Sequence, residues 1–432
     1  MEFQTLLEAL NVRADDELIK VSRKEGSLNS YSILQDVSVE KKKALVEAAS
    51  LLRPLDKIMG CMVGMGVGDA LGHPFEFLPV VDARGKHFFD LSTLKFHNES
   101  NTFNLKRGQW TDDAAMGLCM ADSFIMRRKF DGRDMRVRFW CWWHRGYNNA
   151  FRKEPGRSGS VGLGGNISKS LSDVSRCATN VSAAYNSKTE DAGNGSLMRF
   201  APVPVFLHCA PLDLLYDVAR QSSYTTHPGI IAAEACAFFA HVVRRALESE
   251  PCAASEFLDR VTQEYFETLR DKQGWGWDQM KWLVSSTPVH TTERCWNWKA
   301  DSLDIRNSLK ARGHSYNGYP VSAGYFGSYC MDGLAMALWC VYHTTSFDEA
   351  VTRSVNLLGD ADSHGSICGQ LAGAFYGYSS INRQFVDWLA RWDDHEFAVR
   401  ALLLHELGSQ LMTVPLEHAQ DVQMPPKKRR LD

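Results

Sequence analysis

The chain of 432 residues is 44 % hydrophobic and 23 % charged, a composition that provides a sizeable core for one large domain or two smaller ones. Its 48 basic and 51 acidic residues leave a net charge of -3, so no global basic field gathers nucleic acid or an anionic membrane, and any anionic ligand must be held by local groups. Eleven scattered cysteines, odd in number and with no C-x-x-C pair, argue for reduced thiols and against a disulfide framework or a zinc ribbon.

In chain order, "MEFQTLLEALNVRADDELIK" mixes acids among its apolar residues, unlike a signal peptide. Residues 1 to about 53 read as a separate helical lead-in, with "VEKKKALVEAASLL" as its amphipathic helix. In "IMGCMVGMGVGDALGHPFEF" glycines recur at 60, 64, 68 and 72, a bare stripe along a helix that lets another backbone approach closely. The apolar run 58–68 is far short of the roughly 20 residues a bilayer helix needs, so no membrane span is expected. No strand precedes the G-x-G, which excludes a dinucleotide fingerprint. Asp69 and Glu76 flank Gly72 where the pattern breaks at Pro74, and a carboxylate on a loop just past a packed helix suits an acid that orients water or moves a proton.

Residues 79–110 and 274–324, rich in Gly, Asn, Pro and aromatics, read as long surface loops. Helical periodicity covers 114–130, 229–249, 331–344 and 347–358. The best strand-like piece, "APVPVFL", carries two prolines and makes a poor central strand. The expected fold class is therefore all-α.

Two short motifs stand out from this background. "Thr111-Asp112-Asp113" and "GDADSHGS", with Asp360, Asp362 and Ser363, each place two carboxylates and a hydroxyl at a helix start. Taken singly, such a pair serves as an N-cap with a companion acid in the first turn. Brought together, four carboxylates require cations between them, and an all-oxygen set selects Mg²⁺, Mn²⁺ or Ca²⁺, with two metals about 4 Å apart as the common arrangement. "GRSGSVGLGGNISKSL" and "AGNGSLMRF" offer glycine-rich turns suited to phosphate, though neither matches a P-loop. His227, before Pro228 at a helix start, reads first as a structural histidine, and Arg199 and Tyr329 as candidates for buried pairing.

Taken in order, "GMGVGDALGHPFE", "QWTDDAAM", "GNGSLMR", "THP" and "YCMDGLAMALW" followed by "GDADSHGS" resemble the ADP-ribosylglycohydrolase family across residues 57–380. The resemblance implies an all-helical, two-Mg²⁺ hydrolase, with Mn²⁺ as the alternative metal, that releases ADP-ribose from a modified acceptor by cleaving the bond at ribose C1″. It implies Thr111, Asp112, Asp113, Asp360, Asp362 and Ser363 as metal ligands and Glu76 as the acid on a mobile loop over them. Gly193, Asn194, Gly195 and Ser196 then surround the diphosphate and ribose, with Gly162 and Gly164 in a second phosphate-side loop. His227 lies near the proximal ribose, and Tyr329 lines the adenosine pocket.

Ser363 stands where the family usually has Thr, and His364 where it has a small apolar residue. Glu76 and Asp113 both remain candidates for handling the proton. The implied division is an extension 1–53, a catalytic domain 54–412 and a basic tail 413–432. A monomer is expected, acting on ADP-ribose conjugates without direct nucleic-acid or membrane binding. A non-catalytic ADP-ribose binder and a Mg²⁺-dependent phosphohydrolase remain as alternatives. The tail "PPKKRR" reads equally as a nuclear import signal or a solvated tail, so a cytoplasmic or nuclear location is expected. The acceptor linkage stays open, and the Trp-rich stretch from 274 to 302 lies outside the matched motifs.

Overall fold

A computed structural model of the chain describes residues 26–411 except 81–84, 155, 178–179, 188–191, 317–318 and 321–323. The basic tail and the first 25 residues lie outside the described residues. Helices run over Val39–Ser50 (α1), Arg53–Gly72 (α2), Asp112–Arg127 (α3), Gly132–Arg145 (α4), Gly165–Cys177 (α5) and Pro202–Phe206 (α6). They continue as Leu212–Tyr224 (α7), Ile230–Glu248 (α8), Ala254–Leu269 (α9), Trp275–Ser285 (α10) and Ile305–Arg312 (α11). The series ends with Cys330–Tyr342 (α12), Phe347–Val355 (α13), Ala361–Tyr376 (α14), Arg383–Asp393 (α15) and Glu396–Leu411 (α16). Strands among the described residues amount to two small antiparallel hairpins, Phe88–Asp90 with Lys95–His97 and Ser315–Tyr316 with Tyr319–Pro320. The all-α expectation holds, and no described helix is long and apolar enough to cross a membrane.

The glycine stripe finds its partner in α14, which runs antiparallel to α2. A Cβ on Gly60, Gly64 or Gly68 would lie 2.2, 2.1 or 2.1 Å from the carbonyl oxygen of Gly373, Gly369 or Gly365. Gly369 and Gly373 would collide in return with the carbonyls of Gly64 and Gly60, at 2.0 and 1.9 Å. The two backbones touch with no side chain between them, so a methyl group anywhere along this seam must drive the helices apart. Ser366 and Gln370 fasten α14 to the chain before α6, donating to the Met198 carbonyl at 2.7 and 2.8 Å. The seam matters because Asp69 near the end of α2 and Asp360 and Asp362 at the start of α14 are thereby held at fixed separation.

Some expectations are revised. The span 274–324 is largely ordered: α10, a 3-10 turn over Thr291–Trp296 and α11 lie within it, and Trp296 and Trp298 are fully buried. Its composition misleads because its aromatic residues join the main core, Trp296 against Tyr329 and Trp298 against Tyr342. "APVPVFL" folds as α6, with a proline at the first helical turn where no N–H is needed. Within 79–110 the hairpin pairs Phe89 with Phe96, and the rest is irregular. Part of the lead-in packs into the body, since Lys42 and Ser32 both bond Glu396 of α16. The ten cysteines whose side chains are described are all free thiols.

Candidate metal centre and ligand cleft

The N-terminus of α3 needs a cap, and it receives one from another helix. Asp69, near the end of α2, accepts from the backbone N–H of Thr111 at 2.9 Å and of Ala114 at 2.9 Å, and from the Thr111 hydroxyl at 2.9 Å. Those bonds satisfy orphan donors of the first turn. Asp112 and Asp113 are thereby released from capping, which settles the simpler reading of that pair. The Thr111 hydroxyl also lies 3.2 Å from Asp113 Oδ2 and 3.3 Å from Asp362 Oδ2.

On the facing side, Asp360 is the residue at the N-cap position of α14 and makes no side-chain capping bond, while Asp362 stands in the first turn and accepts from the Ser363 N–H through Oδ1 at 3.0 Å. Carboxylate oxygens of Glu76, Asp360 and Asp362 lie within 4.8 Å of one another, as do those of Asp69, Asp113 and Asp362. Asp362 belongs to both groups. Because the oxygens of Asp69 are engaged by α3, we assign it to holding that turn and the remaining acids to the cleft.

Every one of these carboxylates is buried. Burial first, then the charges of Asp362, Asp360 and Asp112, push Glu76 well above the usual carboxylate range. Burial and the neighbouring acids do the same to Asp112, Asp113 and Asp362. Asp69 is pushed up to about 7 by burial, opposed by the N–H groups it accepts from. Asp113 Oδ1 and Glu76 Oε2 are buried without a hydrogen-bond partner. No lysine or arginine among the described residues pairs with these acids. Orphaned, mutually repelling oxygens with no nitrogen or sulfur among them fit hard divalent cations.

The other expected residues gather around this centre. Asn194 donates through Nδ2 to Asp360 Oδ2 and to the Gly327 carbonyl, both at 2.9 Å. Gly193 bridges to Tyr329, and Ser196 accepts from Ser223 Oγ at 3.0 Å. Gly162 passes so close to Asp112 that a Cβ would sit 2.1 Å from its Oδ1, and its φ of +92° also demands glycine. A Cβ on Gly164, ahead of α5, would meet Ile167 Cδ1 at 3.9 Å and none of the acids. His227 packs on Gly195. The Ser363 hydroxyl is turned to the Met198 sulfur at 3.7 Å. His364 uses both ring nitrogens, on Ser354 Oγ and the Leu358 carbonyl, and so braces the turn before α14. Arg199 is buried but has no carboxylate partner among the described residues.

Several neighbours were not legible beforehand. The Tyr329 hydroxyl donates to Gln279 of α10 at 3.1 Å, its ring lies parallel to Trp296 at 6.4 Å, and Tyr316 meets it edge-on at 5.8 Å. Behind that wall Arg312 grips Asp332 with two bonds of 2.6 and 2.8 Å, and Trp296 Nε1 donates to the same carboxylate. At the rim, Phe77 is 49 % exposed at a φ of 68°, stacks on Tyr325 at 5.8 Å and meets Phe103 edge-on at 6.0 Å. A non-glycine residue held at positive φ beside a cleft acid is strain of the kind that accompanies ligand sites. The tryptophan density of 274–302 was the available signal, but nothing in it pointed to Tyr329.

Comparison with known proteins agrees with this geometry. The family model described as ADP-ribosylglycohydrolase matches residues 50–414. The chain is similar to "ADP-ribosylarginine hydrolase Tri1" of Pseudomonas putida, 28 % identical over 84 % of each chain. It is also similar to "ADP-ribosylhydrolase ARH3" of Danio rerio, 26 % identical over 77 % of this chain and 87 % of that one. Among solved structures, an "ADP-ribosylglycohydrolase-related protein complex" superposes with a TM-score of 0.59 at 26 % identity, covering 82 % of this chain and 99 % of that one.

Proposed function

The chain belongs to the ADP-ribosylglycohydrolase family, and from that premise we propose that it is a Mg²⁺-dependent ADP-ribosylhydrolase that frees an acceptor side chain by hydrolysis at ribose C1″. The observation that carries this reading is the set of buried, unneutralised carboxylates joined at Asp362. Thr111, Asp112, Asp113, Asp360, Asp362 and Ser363 would hold two metal ions. Such ions supply the positive charge that steadies ribose hydroxyls and acidifies a water.

The chain's own groups account for the rest. Water adds to C1″ as the bond to the acceptor breaks, one proton leaves the water and one reaches the departing group. Glu76 is the better candidate than Asp113 for moving it, because it is followed directly by the exposed Phe77 at the cleft mouth. Asp113, 1 % exposed beneath the Thr111 hydroxyl, is better suited to ligation. Asn194 steadies Asp360, and the turn over Asn194–Ser196 beside it would face the ligand's ribose and diphosphate.

The acceptor reading best supported is a guanidinium. Phe77 and Tyr325 offer aromatic faces to a cation beside a field of carboxylates strong enough, after burial, to push the Tyr325 hydroxyl up. The similarity to an ADP-ribosylarginine hydrolase supports the same choice. The test is a panel of arginine-linked, serine-linked and O-acyl ADP-ribose substrates with Mg²⁺, scored for free ADP-ribose and free phosphate. Release of ADP-ribose, fastest from arginine, is expected. Release of phosphate alone would favour a phosphohydrolase, and tight ADP-ribose binding with no turnover a non-catalytic binder.

A further inference from the structure

Arg199 is 0 % exposed, and its guanidinium lies 4.5 Å from the Phe139 ring. Its Nη2 donates to Thr226 Oγ1 at 2.6 Å and to Thr225 Oγ1 at 3.2 Å. A cation held in the interior by hydroxyls and not by an acid is costly and calls for a reason. The Thr225 hydroxyl places its hydrogen on the Ser222 carbonyl at 2.6 Å. The Thr226 hydroxyl, also 0 % exposed, has one further partner among the described residues, His227 Nδ1 at 2.8 Å.

The proton inventory is then closed. A guanidinium only donates, so Thr226 Oγ1 accepts from Arg199 and must place its own hydrogen on a second group. His227 Nδ1 is the acceptor within reach. Burial, then the Arg199 charge, lowers the His227 pKa to about 3, so the ring is neutral. A neutral imidazole that accepts at Nδ1 carries its proton at Nε2. That nitrogen lies at the ligand-side turn: a Cβ on Gly195 would sit 3.1 Å from it, and it bonds to nothing among the described residues.

We propose that Arg199, acting through Thr226, is a positioning residue that locks His227 as the Nε2–H tautomer and so presents one fixed hydrogen-bond donor to an oxygen of ADP-ribose. The opposite tautomer would turn a lone pair toward that oxygen and repel it. The inference rests on the hydrolase reading only for the identity of the oxygen.

The test uses the full chain labelled with ¹⁵N-histidine, its His227 signals assigned by their loss in His227→Gln. The wild type should show a protonated Nε2 and a bare Nδ1, with Nε2 shifting when ADP-ribose is added. Thr226→Ser should keep that tautomer and the wild-type kcat/KM. Thr226→Val, which preserves shape, should mix the tautomers and lower kcat/KM by about tenfold, the scale of losing a partner that orients a ligating side chain. A proton found on Nδ1 in the wild type overturns the proposal, as does a Thr226→Val protein with unchanged tautomer and unchanged kcat/KM. A wild type that shows the Nε2–H form but releases no ADP-ribose supports the lock and tells against the hydrolase reading.

Discussion

Two groups of buried carboxylates within one helical body are treated in opposite ways. Around Asp122 and Glu396 the chain provides its own cations: Arg400 reaches Asp122 at 2.6 Å and Glu396 at 2.8 Å, while Lys42 and Arg152 reach Glu396 at 2.7 and 2.9 Å. Burial works against ionisation there, yet Arg400, Arg152 and Lys42 hold the Glu396 carboxyl well below the usual range. In the cleft, burial and mutual repulsion act on Glu76, Asp112, Asp113 and Asp362 with no cation beside them. The same chain therefore pairs buried acids with its own cations where it needs only a fold, and leaves them without one where a ligand must supply the charge.

The contrast breaks most sharply under substitution. Asp112→Asn or Asp362→Asn is expected to abolish ADP-ribose release, a loss beyond the roughly 10- to 100-fold of an outer partner, with helical circular dichroism unchanged. Full turnover by either variant would sink the metal-site assignment. Arg400→Met is expected to lower stability to denaturant by about 3–5 kcal/mol, because it leaves Asp122 in the interior without its cation while Glu396 keeps only Lys42 and Arg152. Saturating Mg²⁺ should leave that deficit in place; a loss under 1 kcal/mol would mean that the cluster tolerates unpaired acids.

Metal and pH sharpen the comparison further. Mg²⁺ at a hundred times its dissociation constant should stabilise the wild type by about 2.7 kcal/mol, and the Asp362→Asn protein much less. The two clusters also carry opposite pH signs. Asp112, Asp113 and Asp362 are raised well above 3.8 in the fold, and Asp69 beside them to about 7, so their contribution is fully present below pH 4 and is lost as pH rises through the folded values. Glu396 is lowered from 4.5, so its contribution is present above that value and lost as pH falls below it. Metal-free protein should thus melt higher at pH 6 than at pH 8, and Mg²⁺ should narrow the gap; an equal Mg²⁺ effect at both pH values contradicts this. The smallest effect is expected at the rim, where Phe77→Ala should raise KM for arginine-linked substrate by a few-fold to about tenfold and leave serine-linked substrate alone.

The cleft was legible to the extent that its ligands sit in short runs. Thr111 to Asp113 and Asp360 to Ser363 each lie at one helix start, so residue type and spacing carried the chemistry. The capping role of Asp69 was hidden because it depends on Thr111 and Ala114, which only the glycine seam and the packing of α3 bring near it. The stripe at 60, 64, 68 and 72 announced a close neighbour without naming α14. The Asp122 and Glu396 cluster left no local pattern, since Arg400 and Asp122 are 278 residues apart. Trp296, Gln279 and Tyr316 escaped for the same reason: each meets Tyr329 through tertiary packing of a stretch whose composition resembles a loop.

The most direct test of the central claim is a Mg²⁺ titration of ADP-ribose release from an arginine-linked substrate by protein first stripped with chelator. Release should be absent without metal and return in a saturable manner as Mg²⁺ is added, with no return in the Asp362→Asn protein. Undiminished release by the stripped wild type would contradict the account.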